Sequence, residues 1–165
     1  MAFRITGLDP REFRHLAPLT DEALARHRAV RRICDANPGF PCRVSLKDAQ
    51  PGEAVLLLNY EHLSVDSPYR SSHAIYVREA ANEPFDAVGI IPPAIRSRLL
   101  SLRAFDAHGH IVDADITEGR DVEPLIERFF ALDDVSYIHA HFARRGCFAA
   151  RIDRHVVPKE IGTKN

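Results

Sequence analysis

Polar and apolar residues alternate through Tyr137-Ile-His-Ala-His-Phe-Ala-Arg-Arg-Gly-Cys-Phe-Ala-Ala-Arg-Ile-Asp153. Successive side chains of a strand point to opposite faces. Ile138, Ala140 and Phe142 therefore share one face, and Tyr137, His139 and His141 the other. Beyond the turn, Phe148, Ala150 and Ile152 form the apolar set, with Cys147, Arg151 and Asp153 opposing it. A three-residue loop, Arg144-Arg145-Gly146, brings the two apolar sets together, with glycine where positive φ is needed. It pairs Phe142 with Phe148, His141 with Ala149 and His139 with Arg151. A two-residue loop would set Phe142 against Cys147 and turn one apolar set to the wrong side. The pattern thus predicts Phe142 and Phe148 as core neighbours. It also predicts an opposite face carrying two imidazoles, a thiol and a guanidinium, with Cys147 diagonal to His141.

The same reading gives the rest of the chain. Phe3 to Gly7 is a short strand, and Asp9-Pro10 and Thr20-Asp-Glu-Ala are helix starts. Arg28 to Cys34 reads as a strand or as an extension of the preceding helix. Ala54 to Tyr60 is a near-continuous apolar run, expected as a strand buried on both faces. His73 to Arg78 is another strand. Pro92-Pro93 opens a short helix, and Leu99 to Phe105 with His110 to Ile116 forms a hairpin. Val122, Leu125, Ile126 and Phe129 recur at helical spacing after Asp121, predicting an amphipathic helix through Leu132. Hairpins dominate over strand-helix-strand alternation. The predicted class is α+β, with a mainly antiparallel sheet and helices covering one side. Residues 1–157 form one domain in this reading, and 158–165 a disordered tail.

Composition narrows the function classes. The chain has 165 residues, of which 45% are hydrophobic and 27% charged, as in ordinary globular domains. A net charge of −1 argues against general nucleic-acid binding. No apolar run approaches a membrane span, and the first residues lead into a strand pattern rather than a signal peptide. Three scattered cysteines, Cys34, Cys42 and Cys147, do not make a disulfide framework, which fits a cytoplasmic location.

Several residues carry candidate chemistry. His139-x-His141 aims two imidazoles the same way, as a metal site requires. A third ligand is needed, for which Cys147 or Cys42 is available. No CxxC or HExxH spacing supports a complete set. The expectation is less than about one zinc per chain and no cofactor, with both histidines on a partly exposed face. Cys42 precedes Arg43, and a guanidinium beside a thiol favours the nucleophilic thiolate. The loop Asp66-Ser-Pro-Tyr-Arg-Ser-Ser-His73 adds Tyr69 and His73. No nucleotide-binding glycine loop or nucleophile elbow is present.

Cys42 to Leu58, Ser67-Pro-Tyr69 to His73, and Gly146-Cys-Phe148 with Arg151 resemble a small bacterial family catalogued as domain of unknown function 1203. The resemblance covers nearly the whole chain and implies a self-contained bacterial domain. It further implies a second cysteine at the place this chain fills with Ser45, so a paired-thiol mechanism there is not open to it. It assigns no activity. The residues favour a binding domain or small enzyme for an anionic or polar molecule. Its cleft would be lined by Cys42 and His141 as catalytic groups, and by Arg43, Tyr69, His73, His139, Cys147 and Arg151 as ligand-binding groups. The alternatives are a non-catalytic interaction domain, such as a homodimer, and a metal site of His139, His141 and Cys147.

Overall fold

The computed structural model describes residues 2–157; the predicted tail lies outside them. Nine strands run through these residues in chain order: β1 Ala2–Thr6, β2 Ala29–Ile33, β3 Ala54–Leu63, β4 Ser71–Arg78, β5 Asp86–Val88, β6 Leu99–Phe105, β7 Ile111–Glu118, β8 Tyr137–Phe142 and β9 Phe148–His155. Helices α1 Asp21–Arg26, α2 Pro93–Arg96 and α3 Val122–Phe130 lie between them. The fold is α+β, and every pairing within its two sheets is antiparallel. One sheet has the order β5-β1-β9-β8-β6-β7 and the other β2-β3-β4. Residues 29–33 settle as a strand. Asp9-Pro10 opens only a single 3-10 turn, Pro10–Glu12, with the Asp9 side chain accepting from the Arg11 N–H.

The helical spacing of α3 has the predicted consequence. Val122, Leu125, Ile126, Phe129 and Phe130 are all buried, packed with Leu100, Leu102, Ile138, Ala140 and Ile152 from one face of the large sheet. A second core lies against the small sheet, where Leu56, Leu58, Ile75 and Val77 meet Phe13, Leu16 and Leu24. The expected double burial of β3 holds only at Val55 and Leu56; further on, Asn59 and Glu61 are exposed.

Beyond Tyr60, β3 continues past its predicted end. Glu61 pairs with Ser72 and Leu63 with Ser71, so His62 is the extra residue of a β-bulge. A bulge bends its strand and re-aims a side chain. Here the strand end reaches the second face of the large sheet, and Leu63 is buried with Phe105 and Tyr137. Both faces of β8 are consequently covered, and all six of its residues are buried.

The final hairpin forms, with a register other than the predicted one. Its loop has four residues, Ala143 to Gly146: the Phe142 N–H donates to the Cys147 carbonyl, and the Gly146 N–H to the Phe142 carbonyl. His141 then pairs with Phe148, while Ala140 pairs with Ala150, so Ala149 is a bulge residue in β9. Gly146 does take positive φ, at 77°. The bulge restores the predicted alignment of His139 with Arg151 and of Ile138 with Ile152. Between bulge and turn, the parity of β9 is inverted. Cys147 joins the core on the side of Phe142, and Phe148 turns to the histidine face. The expectation that Phe142 and Phe148 are core neighbours is therefore wrong, as is the placement of Cys147 beside His141.

Candidate functional site

Strand parity puts His139 and His141 on one face of β8, as predicted, but that face is interior. Their exposures are 3% and 1%. The cover is β3, whose bulge brings the His62 ring within 5.0 Å of His141 and 6.2 Å of His139, centroid to centroid. Phe148 closes one side. Its ring stacks on His62 at 5.4 Å with an interplanar angle of 5°, and meets His139 edge-on at 4.9 Å. Phe105 meets His139 from another side at 5.2 Å. One ring nitrogen from each of His62, His139 and His141 lies within 4.8 Å of the other two.

The hydrogen bonding of these rings is incomplete. His141 Nδ1 is 2.9 Å from the Gly146 carbonyl oxygen. A carbonyl only accepts, so Nδ1 carries the proton and Nε2 keeps its lone pair. Among the described residues, His141 Nε2, His62 Nδ1 and His139 Nδ1 are all buried without a hydrogen-bond partner. Buried polar atoms are ordinarily paired, and three unpaired ring nitrogens gathered in one cluster make this the candidate site.

Burial also sets the protonation state. Desolvation pushes His62 down to about 4, with Arg103 and His73 adding to the effect. It pushes His139 to about 2, reinforced by His141 and His62. His141 falls to about 3, although the bond to Gly146 works the other way. All three imidazoles are neutral at pH 7, with lone pairs free to coordinate.

Arg43 and Cys147 form a second group, apart from the histidines. Arg43 leaves a tight turn in which the Leu46 N–H donates to the Cys42 carbonyl, and its guanidinium is 2% exposed. Nε donates to the Phe148 carbonyl at 2.7 Å, Nη1 to the Pro41 carbonyl, and Nη2 lies 3.1 Å from Cys147 Sγ. Burial lowers the Arg43 pKa to about 10, with Cys147 and Cys42 opposing the fall, so it stays charged at neutral pH. Nε and both terminal nitrogens of this buried guanidinium thus each have a partner within the protein.

Cys42 is buried in the small-sheet core, its sulfur accepting from the Arg78 N–H at 3.3 Å. It is absent from the histidine cluster, as is Cys147. Cys147, the third ligand of the metal alternative, lies on the opposite face, and the ring nitrogen gathered with those of His139 and His141 belongs to His62. Arg151 lies beside His139 in register but is bonded to Asp153 and sits 4.1 Å over the Tyr137 ring. Tyr69 meets Phe105 edge-on at the margin of the cluster, 40% exposed. His73, half-buried on β4, is close enough to influence both His62 and His141.

His62 had one signal in the sequence, its position two residues beyond Tyr60 in the alternation of β3. Nothing in the sequence marked the bulge that turns it inward.

An antiparallel α+β domain with a histidine cluster between its two sheets is the class these features define. The chain belongs to the DUF1203 family, described as a protein of unknown function, whose profile matches residues 39–154. All three clustered histidines lie within that span. No curated protein matches the chain, and neither does any solved structure. No helix among the described residues is long and apolar enough to cross a membrane.

Proposed function

We propose that this protein binds a divalent transition metal through His62, His139 and His141, and that zinc is the ion best suited to the set. The observation that carries the reading is the trio of buried, unpartnered ring nitrogens. A tetrahedral zinc ion with bonds of about 2.0–2.1 Å holds its donors about 3.4 Å apart. Donors already within 4.8 Å of one another reach that spacing by small side-chain rotations. Neutral imidazoles without a nearby thiolate or carboxylate ligand suit zinc, copper or nickel. The carbonyl of Gly146 fixes the His141 tautomer, the orienting bond that metal-ligating histidines ordinarily make.

Structural zinc sites close with four protein ligands, whereas catalytic ones keep a position open. Three protein donors therefore favour a reactive centre over a structural staple. Bound there, the ion supplies Lewis-acid chemistry to an oxygen ligand in the remaining position. The chain's own contribution is to hold three lone pairs in place, exclude bulk water with Phe148 and Phe105, and keep the imidazoles unprotonated.

Elemental analysis of protein purified without chelator tests this. The expected content is about one metal ion per chain, lost in His62→Ala and in His139→Ala, each shown folded by circular dichroism. Metal retained in both variants, or no uptake from a zinc buffer by the unaltered protein, would sink the proposal.

A further inference from the structure

Across the β6–β8 ladder, Arg103 is the direct partner of His139, so its side chain rises from the same face. In the same ladder Ser101 is the partner of His141, so Arg103 rises on the face of the large sheet that carries both histidines of β8. The residue is half-buried. Yet among the described residues its guanidinium donates no hydrogen bond and forms no ion pair. This is unlike most arginines here: Arg4, Arg31, Arg78, Arg96 and Arg98 each pair with a carboxylate.

A partly desolvated guanidinium without a counter-ion is costly. Beside a dication it is costlier, because the two charges repel. Both costs fall if an anion lies between them, with one oxygen toward the three-histidine centre and the other toward Arg103. We infer that Arg103 anchors a carboxylate-bearing ligand in the coordination position that the three histidines leave unfilled. This rests on the metal reading above. The planar fork of a guanidinium matches the two oxygens of a carboxylate. A phosphate would bring further oxygens. The other nearby cation, Arg151, is already committed to Asp153 and Tyr137.

Cobalt(II) in place of zinc makes the site visible through its d–d absorption. The cobalt-loaded protein is titrated with acetate and, separately, with inorganic phosphate, as the unaltered chain and as Arg103→Met and Arg103→Lys. Acetate should shift the cobalt bands of the unaltered protein and bind at least about tenfold more weakly to Arg103→Met, with Arg103→Lys between the two, because a charged fork is lost. Cobalt affinity itself should not fall in either variant. Equal acetate affinity in the unaltered and Arg103→Met proteins overturns the role of Arg103 while leaving the metal site standing. Phosphate binding through Arg103 in preference to acetate overturns the carboxylate assignment. Failure of the unaltered protein to bind cobalt overturns both proposals together.

Discussion

Replacing Arg43 with methionine removes the guanidinium while keeping much of the side-chain volume. Two buried main-chain carbonyls, Pro41 and Phe148, lose their donor, and the Cys147 thiol loses a contact. Leaving a buried acceptor unsatisfied costs about 1–3 kcal/mol, so the two carbonyls together cost roughly 2–6 kcal/mol. The cation also sits 4.9 Å over the Phe142 ring, an attraction of about 1 kcal/mol that is lost as well. Against this, the charge no longer has to be desolvated, a cost large enough to offset part of the loss. The expected net destabilisation is about 3–5 kcal/mol. For a domain of this size that lowers Tm by roughly 10 °C or more. Urea unfolding followed by far-ultraviolet circular dichroism measures it, with Arg43→Lys expected to recover part because one charged donor remains. An Arg43→Met protein as stable as the unaltered one, with an unchanged m-value, would refute the structural role and reopen Arg43 as a ligand contact.

The histidines make the metal-free protein acid-sensitive: their folded pKa values lie below the unfolded value of about 6.5, so stability is complete above pH 6.5 and falls as the pH drops below it. At pH 5 the loss is about 2 kcal/mol each for His139 and His141, with a smaller share from half-exposed His62; a flat urea midpoint between pH 7.5 and pH 5 would contradict this. Phe148→Ala removes the ring stacked on His62 and should cost about 3–5 kcal/mol while weakening metal binding, whereas an equally buried core phenylalanine, Phe129→Ala, should cost as much stability and leave metal affinity unchanged. Native Cys34, Cys42 and Cys147 should label slowly with an alkylating reagent, since all three are buried, and fast labelling of any one would show an opening the structure lacks.

Local pattern made much of this legible. Alternation identified β8 and β9, and helical spacing identified α3 and its buried face. Parity correctly set His139 and His141 side by side. The failures share a physical origin, since bulges break the period of two on which parity depends. The Ala149 bulge carries no glycine or proline to mark it, and it exchanged the faces of Cys147 and Phe148. The bulge at His62 likewise supplied the third nitrogen from a strand some 75 residues away in sequence from β8. The contacts of Arg43 were hidden for another reason. Its principal acceptor, the Phe148 carbonyl, is 105 residues distant, and no local pattern reveals a main-chain acceptor. The burial of the histidine face depended on where β3 crosses the large sheet, which is a tertiary property.

X-ray absorption at the zinc edge, on protein reconstituted with one equivalent of zinc, reads the ligand set itself. A site of three histidines gives a first shell of nitrogen and oxygen only, at about 2.0–2.1 Å, with the outer-shell scattering of three imidazoles. A sulfur shell at about 2.3 Å would contradict it, because zinc would then be held by a cysteine that the structure keeps away from His62, His139 and His141.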